Sequence, residues 1–266
     1  MYNEIMYDTL ARKISSFEIF DAHGHYGSDN RVHIPYYSAE DMIQTMNLAG
    51  VKKLFISSLI GISNNAYLGN TMVGDAIAKY PDRLIGMASI DPHKPSQIEK
   101  ELKRCFGVLG MKMIKLHPSF SECPMVSRGY QSVYEFANER GIPILNHSWE
   151  DIHIVERILN KYPNVVLIQA HSGGSWNGRS KNDFIDAAKE YPNFFVDTSY
   201  TIAYFGAFEK LVDYIGADKI IFGSDCPYMD LTYQLGKILF ADISIKDKTK
   251  ILSGNIRKII EENSPI

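Results

Sequence analysis

Short apolar segments recur along the whole chain, separated by longer stretches that mix polar and apolar residues. Eight of these segments predict strands, at residues 17–22, 53–58, 84–90, 111–116, 143–146, 165–170, 194–198 and 220–223. Their apolar character is nearly continuous rather than alternating, which is typical of parallel strands covered on both faces. The pattern therefore predicts a buried parallel sheet.

Between the predicted strands lie stretches of helical length with one apolar face. The first begins at Ser38 and Asp41 with a capping-box-like pattern and ends at Gly50. The others span residues 71–80, 96–106, 131–140, 151–162, 183–191, 205–214 and 246–262. Strict alternation of strands and helices with short connections predicts right-handed crossovers between parallel strands.

Eight such units favour a closed (β/α)8 barrel of the TIM type over an open, doubly wound sheet. The open sheet would be favoured by a glycine-rich GxGxxG or GxxxxGKS loop after the first predicted strand, and the sequence has none there. Barrels of this kind form one unit of about 250 residues, and no linker or shift in composition divides the 266 residues here. We therefore expect one barrel domain over residues 1–266.

The composition is that of an ordinary globular protein, with 45% hydrophobic residues, 22% charged residues and a formal net charge of −3. No run of basic residues is interleaved with aromatic residues, so we expect no nucleic-acid partner and no anionic membrane surface. The three cysteines lack CxxC spacing, which favours a reducing compartment. We find no signal-peptide pattern and no apolar stretch long enough to span a bilayer. We therefore expect a cytoplasmic protein without a membrane segment.

Residues with metal-binding chemistry follow the predicted strands at their carboxyl ends, where the catalytic groups of barrels gather. The first predicted strand leads into Asp21-Ala22-His23-Gly24-His25. Residues two apart on a strand point to the same side at a spacing near ~7 Å, so both imidazoles can bond one cation at about 2.1 Å. Gly24 allows close approach of the backbone.

Four later predicted strands each end in one residue that can bind a metal. His117, His147 and His171 end the fourth, fifth and sixth predicted strands, and Asp225 ends the eighth. A hydrogen-bonded loop histidine explains any one of them, whereas the whole set at one end of a barrel favours a metal site. We call this end, formed by the carboxyl ends of the strands, the rim.

At these residues the sequence resembles the amidohydrolase superfamily, and within it the branch that includes aminocarboxymuconate-semialdehyde decarboxylase. The resemblance covers essentially the whole chain. It is carried by Asp21-x-His23-x-His25, Lys115-Leu116-His117-Pro118, His147, His171-Ser172-Gly173-Gly174, Gly223-Ser224-Asp225-Cys226-Pro227 and Ile251-Leu252-Ser253-Gly254-Asn255. These ordered motifs are specific for the superfamily and do not identify a substrate.

The resemblance implies a role for each matching residue. His23, His25 and His147 would be the imidazole ligands, and Asp225 the carboxylate ligand, of one divalent ion. We expect Zn²⁺, with Mn²⁺ as the alternative. Such an ion lowers the pKa of its bound water towards ~7. Asp225 would then take the proton of that water, and His171 would act beside the metal as an acid–base group.

Four further residues are candidate substrate contacts. Lys115 has the same strand parity as His117, so both are expected to face the rim. In relatives with two metals a lysine at this position is carboxylated, but the local sequence here is more similar to the one-metal branch. Arg179, on a loop rich in glycine and serine, can bind a substrate carboxylate as a fork, although a surface salt bridge explains it equally well. Trp149 follows the fifth strand and is expected at the pocket wall.

The sequence leaves three functions open. We favour a hydrolase of a small ester, lactone or amide, because hydrolysis is the commoner chemistry across the superfamily. The alternative is a lyase that decarboxylates or hydrates a small unsaturated acid, whose carboxylates Lys115 or Arg179 would anchor. A catalytically silent barrel is disfavoured, since every matching ligand position is filled. The expected partner is a small-molecule substrate, and the resemblance leaves a homodimer open.

Overall fold

A sheet of nine strands organises the part of the chain that the structure describes. This computed structural model describes residues 14, 16–29, 34–63, 65–174, 181–200 and 204–262. All eight predicted strands are present, and they pair in parallel in chain order. They are β1 (Phe20–Asp29), β3 (Lys53–Ser58), β4 (Leu84–Ala88), β5 (Met113–Leu116), β6 (Ile144–Asn146), β7 (Leu167–Gln169), β8 (Phe194–Asp197) and β9 (Ile220–Ile221).

One strand, β2 (Ile34–Tyr37), was not predicted. It pairs antiparallel with the far end of β1, which continues to Asp29 instead of ending at residue 22. The pattern missed this extension because the segment after residue 22 is mostly polar residues and glycine rather than a continuous apolar run. The two histidines after residue 22 therefore lie within a strand and not in a loop.

The sheet closes between β1 and the segment that follows β9. Gly24 and Cys226 form a parallel bridge, and the amide of His25 donates to the Cys226 carbonyl at 2.7 Å. The buried carboxylate of Asp21 accepts hydrogen bonds from the amide of Ser224 at 2.9 Å and from its hydroxyl at 2.5 Å. These bonds join the first and last strands, so the predicted TIM-type barrel is confirmed.

Helices follow the parallel strands and form the outer layer. They are α1 (Ala39–Ala49), α2 (Leu59–Ser63), α3 (Ala66–Lys79), α4 (Pro95–Gly107), α5 (Pro118–Ser121), α6 (Arg128–Arg140), α7 (Ile152–Lys161), α8 (Asp183–Glu190), α9 (Ala207–Ile215), α10 (Leu231–Leu239), α11 (Ile245–Thr249) and α12 (Asn255–Glu262). The predicted capping box at α1 is formed, because the Ser38 hydroxyl accepts from the Asp41 amide and the Asp41 carboxylate accepts from the Ser38 amide. Within the described ranges, no helix is both long and apolar enough to span a bilayer.

The last part of the chain differs from the predicted helix over residues 246–262. A π-helical turn, Lys250–Gly254, separates α11 from α12. This turn contains Ser253 and Gly254, two residues with lower helix propensity than alanine or leucine. In addition, α10 is a helix that the pattern did not predict; its N-cap residue is Asp230, whose side chain accepts from the Tyr233 amide.

The core has two layers. Side chains inside the barrel form one cluster that includes Phe20, Phe55, Met113 and Ile168, and Ile256 of α12 packs against it. A larger cluster fills the space between the strands and the surrounding helices. The interior of the barrel is therefore packed and does not form a pore. In barrels of this type, active sites lie at the rim.

Candidate metal centre

The direction of His23 and His25 depends on a β-bulge in β1. Between Asp21 and Gly24 the register of β1 against β3 shifts, so that Ala22 and His23 together lie opposite one residue, Phe55. A bulge inserts one extra residue into a strand and re-aims a side chain at that point. Because Ala22 belongs to the barrel interior, the bulge turns His23 inwards as well, and His25 follows two residues later.

His23, His25 and Asp225 converge at the rim. Oδ1 of Asp225 lies 3.3 Å from Nε2 of His23 and 3.0 Å from Nε2 of His25. One ligand atom from each of the three residues lies within 4.8 Å of the other two. In both histidines Nδ1 has an outer partner: Asp197 Oδ2 at 2.7 Å from His23, and Ser57 Oγ at 3.1 Å from His25. Outer hydrogen bonds of this type fix ligating imidazoles in metal sites, so the donor set suits a divalent ion.

His147 and His171 lie beside this group without belonging to it. The two rings meet with Nε2 of His171 at 3.1 Å from Nδ1 of His147. His171 follows β7 in a 3₁₀ turn and has a left-handed backbone, with φ of 57°; Asp225 shares this conformation, with φ of 64°. Non-glycine residues adopt this conformation uncommonly, and they do so preferentially at functional sites.

The electrostatics of the rim favour neutral rings of His25 and His147 and an ionised carboxylate of Asp225. Burial lowers the pKa of His25 to about 4 and that of His147 to about 3, so both rings are neutral at physiological pH. Neutral imidazole is the form that ligates a metal. Burial would raise the pKa of Asp225, but its contacts with His23 and His25 outweigh this effect, so the pKa lies well below its usual range.

Lys115 lies beneath the centre, inside the barrel. Its side chain is buried, and Nζ lies 2.6 Å from Nε2 of His23. Burial lowers the pKa of Lys115 to about 8 despite the nearby carboxylates of Asp225 and Asp197. His117, which follows β5, lines the cavity, whereas Lys115 contacts His23 and is not among the lining residues.

Sequence reasoning missed Asp197, at the end of β8. This fully buried carboxylate accepts from His23 through Oδ2 and from the backbone amide of His171 through Oδ1, at 2.8 Å. It also forms a second group with His23 and His171 whose ligand atoms lie within 4.8 Å of one another. The hydroxyl of Ser199 stands among these three residues, at 2.6–3.2 Å from each. We therefore interpret Asp197 as an outer partner of the centre. The signal that identified Asp225, a carboxylate at a strand end, was present here too.

A cavity of about 910 Å³ opens above the centre. Its described lining includes His25, His117, His147, His171 and Asp225. Aromatic side chains form much of the wall, namely Phe120, Phe184, Tyr200, Tyr204 and Tyr228. The ring of His117 is sandwiched between Phe120, with ring centres 3.6 Å apart, and His147, at 4.0 Å.

Of the predicted substrate contacts, Trp149 and Arg179 are not among the described residues that line the cavity. Trp149 is fully buried, packs near Tyr134 in the core and is not among the residues that line the cavity. Its position just after the fifth predicted strand led us to expect it at the pocket wall. Its indole instead packs in the layer between the strands and the helices. Arg179 lies outside the described residues.

Gly223→Ala tests how tightly the centre is packed. A Cβ at Gly223 would lie 2.8 Å from the Cβ of His23 and 3.2 Å from Oδ2 of Asp197. We expect the displaced His23 to weaken metal binding roughly 10-fold or more, the scale of lost outer hydrogen bonds, as measured by metal titration. Gly236→Ala is the matched control, since its Cβ would approach only Phe240, at 3.9 Å. Equal metal affinities of the two variants would contradict this packing.

A closed parallel barrel with imidazoles and carboxylates at its rim is the architecture of a metal-dependent barrel enzyme. This chain belongs to the amidohydrolase family: the family model, described as amidohydrolase, matches residues 63–261, about three quarters of the sequence. The resemblance read from the rim motifs is thereby confirmed, and so is the expectation of an enzyme.

Similar proteins span nearly the whole chain. The gamma-resorcylate decarboxylase of Polaromonas sp. strain JS666 is 22% identical over 289 residues, covering 88% of this chain and 87% of the relative. A dihydroxybenzoic acid decarboxylase structure from Polaromonas sp. JS666, with bound manganese and the inhibitor 2-nitroresorcinol, has a TM-score of 0.74 at 16% identity and covers 93% of this chain and 98% of its own.

A third relative has the same fold. The 5-carboxyvanillate decarboxylase of Novosphingobium aromaticivorans, in complex with manganese and 4-hydroxy-3-methoxy-5-nitrobenzoic acid, has a TM-score of 0.74 at 16% identity and covers 92% of this chain and 96% of its own. At these identities the structural matches establish the barrel fold.

Proposed function

We propose that this protein is a metal-dependent decarboxylase of a small aromatic or unsaturated carboxylic acid. The observation that carries the proposal is the cavity above His25, His147, His171 and Asp225, which joins metal-binding and acid–base groups to an aromatic wall. The relatives named above are decarboxylases. They favour the lyase alternative over the hydrolase that the sequence alone favoured.

The cavity suits a planar substrate. Its volume of about 910 Å³ falls in the usual range of small-ligand sites, ~300–1,000 Å³. Phe120 and Tyr228 offer ring faces and edges for packing against a conjugated substrate. His117, held between two rings, would contact the substrate from the same wall.

We propose His23, His25, His147 and Asp225 as the ligands of one divalent ion. Three imidazoles and one carboxylate accept both Zn²⁺ and Mn²⁺. The manganese in two of the relatives favours Mn²⁺. A bound ion would supply Lewis-acid polarisation of the substrate oxygens.

His171 is the residue that we propose to carry the proton. In decarboxylation the bond to the carboxylate carbon breaks, CO2 leaves, the electron pair stays on the remaining carbon, and that carbon gains one proton. Burial lowers the pKa of His171 to about 4, so its resting ring is neutral and accepts a proton from the solvent or from a substrate hydroxyl. It would then deliver this proton to the carbon.

Metal removal tests the proposal directly. The Mn²⁺-loaded protein is incubated with a panel of hydroxybenzoates and unsaturated dicarboxylates, and CO2 release is measured. We expect turnover of at least one acid, its loss after chelation and its return when Mn²⁺ is added back. Parallel assays with esters, lactones and amides provide the contrast. Hydrolysis of one of these without any CO2 release would instead establish the hydrolase, and a metal-loaded protein inactive on every compound would support the silent barrel.

A further inference from the structure

Asp197 contacts two parts of the rim through its two oxygens. Oδ2 lies 2.7 Å from Nδ1 of His23. Oδ1 accepts from the amides of His171 and Ser199, at 2.8 Å and 3.0 Å, and from the Ser199 hydroxyl at 2.6 Å. A carboxylate can only accept in these contacts. Nδ1 of His23 must therefore carry a proton.

Lys115 supports this assignment independently. Its ammonium group has donors and no acceptor, and Nζ lies 2.6 Å from Nε2 of His23. Nε2 must accept in this contact and therefore carries no proton. The hydrogen bonds with Asp197 at Nδ1 and with Lys115 at Nε2 thus require the same tautomer of His23, with its proton directed away from the predicted metal position.

The Ser199 hydroxyl extends the same logic to His171. Because its own proton goes to Asp197 Oδ1, the oxygen of Ser199 acts as an acceptor towards Nδ1 of His171, which lies 3.0 Å away. His171 then carries its proton on Nδ1, and its Nε2 has a lone pair. That lone pair faces Nδ1 of His147 at 3.1 Å, so the hydrogen bond exists only if His147 also carries its proton on Nδ1.

We propose that Asp197 is a positioning residue that sets the tautomers of three imidazoles, His23 directly and His171 and His147 through Ser199. Each of the three imidazoles in this series of hydrogen bonds is protonated on Nδ1. His23 and His147, the two ligands on opposite sides of the chain of bonds, therefore both present an unprotonated Nε2. One buried carboxylate prepares two metal ligands and orients the proton carrier between them.

This proposal rests on the proposed function for the roles of the rim residues, but its test does not depend on the substrate. Long-range ¹H–¹⁵N spectra of the Zn²⁺-loaded protein, labelled at histidine, report which ring nitrogen carries each proton. We expect Nδ1 protonation of His23, His147 and His171 in the wild type. In Ser199→Ala we expect His171 to lose this preference and His147 to lose its acceptor.

Metal titration with Zn²⁺ alone gives a second readout. We expect Asp197→Asn to weaken Zn²⁺ binding by about 10–100-fold. Asparagine has one side-chain oxygen and therefore cannot accept hydrogen bonds at both positions of the carboxylate. Ser199→Ala should weaken it less, since His23 keeps its partner. Ser57→Ala is the matched control: it removes the hydroxyl next to Nδ1 of His25 but lies outside the chain of bonds, so the His171 tautomer should stay as in the wild type.

Unchanged His171 and His147 tautomers in Ser199→Ala would overturn the proposal, as would wild-type Zn²⁺ affinity in a folded Asp197→Asn. Should Asp197→Asn fail to fold, the milder Ser199→Ala decides alone. A merely structural role would lower the melting temperature and leave the ring protonation intact. An inactive decarboxylase assay with the expected tautomers would refute the proposed function and leave this inference standing.

Discussion

Asp225→Asn is expected to abolish turnover and release the metal. The substitution keeps the shape of the side chain and tolerates the left-handed backbone at this position, with φ of 64°. It removes the negative charge that lies within 3.3 Å of both His23 and His25. We expect activity to fall by at least ~100-fold, because loss of a ligand should cost no less than loss of an outer partner, which costs up to ~100-fold, and we expect bound metal to drop in elemental analysis.

Asp218→Asn is the matched control for this substitution. Asp218 is 71% exposed and pairs with Lys250 at the surface, and such pairs contribute only about 0–1 kcal/mol. Its activity and metal content should stay at wild-type levels. Retention of more than about a tenth of wild-type activity by Asp225→Asn, a change of less than ~1.4 kcal/mol in the barrier, would contradict the assignment of this residue.

His171→Asn should separate chemistry from metal binding. Asparagine tolerates the left-handed backbone of His171, with φ of 57°, so the change removes the imidazole with little strain on the turn. We expect the rate to fall by about 10²–10⁴-fold, because a proton carrier is lost. The metal content should remain near that of the wild type, because His171 is not among the proposed ligands.

His153→Asn provides the comparison for this variant, since that histidine is 74% exposed and pairs with Glu156 on the surface of α7. Loss of the metal from His171→Asn would make His171 a ligand instead of a proton carrier. Normal turnover would remove it from the mechanism altogether. The two measurements, rate and metal content, must therefore be made on the same preparations.

The strands and their order could be predicted because parallel strands leave a local signal. Each is a short apolar run, and each ends in polar residues at the rim. The same signal located His147, His171 and Asp225 at strand ends. The same signal also predicted Trp149 at the cavity wall, but the ring is fully buried in the core. A position at the end of a strand does not determine the direction in which a large side chain points.

What could not be predicted depends on pairing between distant segments. The bulge that turns His23 inwards exists only in the register of β1 against β3, and no pattern within β1 reports it. Asp197 gains its importance from a histidine 174 positions away. The hairpin formed by β2 and the π-helical turn after α11 likewise reflect tertiary contacts that overrule local preference.

Left-handed backbone at non-glycine residues is concentrated at one end of the described part of this molecule. In the described ranges its non-glycine positions are Glu122, Glu150, His171, Ser172, Tyr200 and Asp225, all on segments that leave the rim. Each costs about 1 kcal/mol or more relative to a relaxed residue. Directed evolution for heat resistance would therefore select glycine at His171 or Asp225, two positions that we propose to be essential for catalysis. Screening such libraries on melting temperature alone would enrich robust but inert barrels.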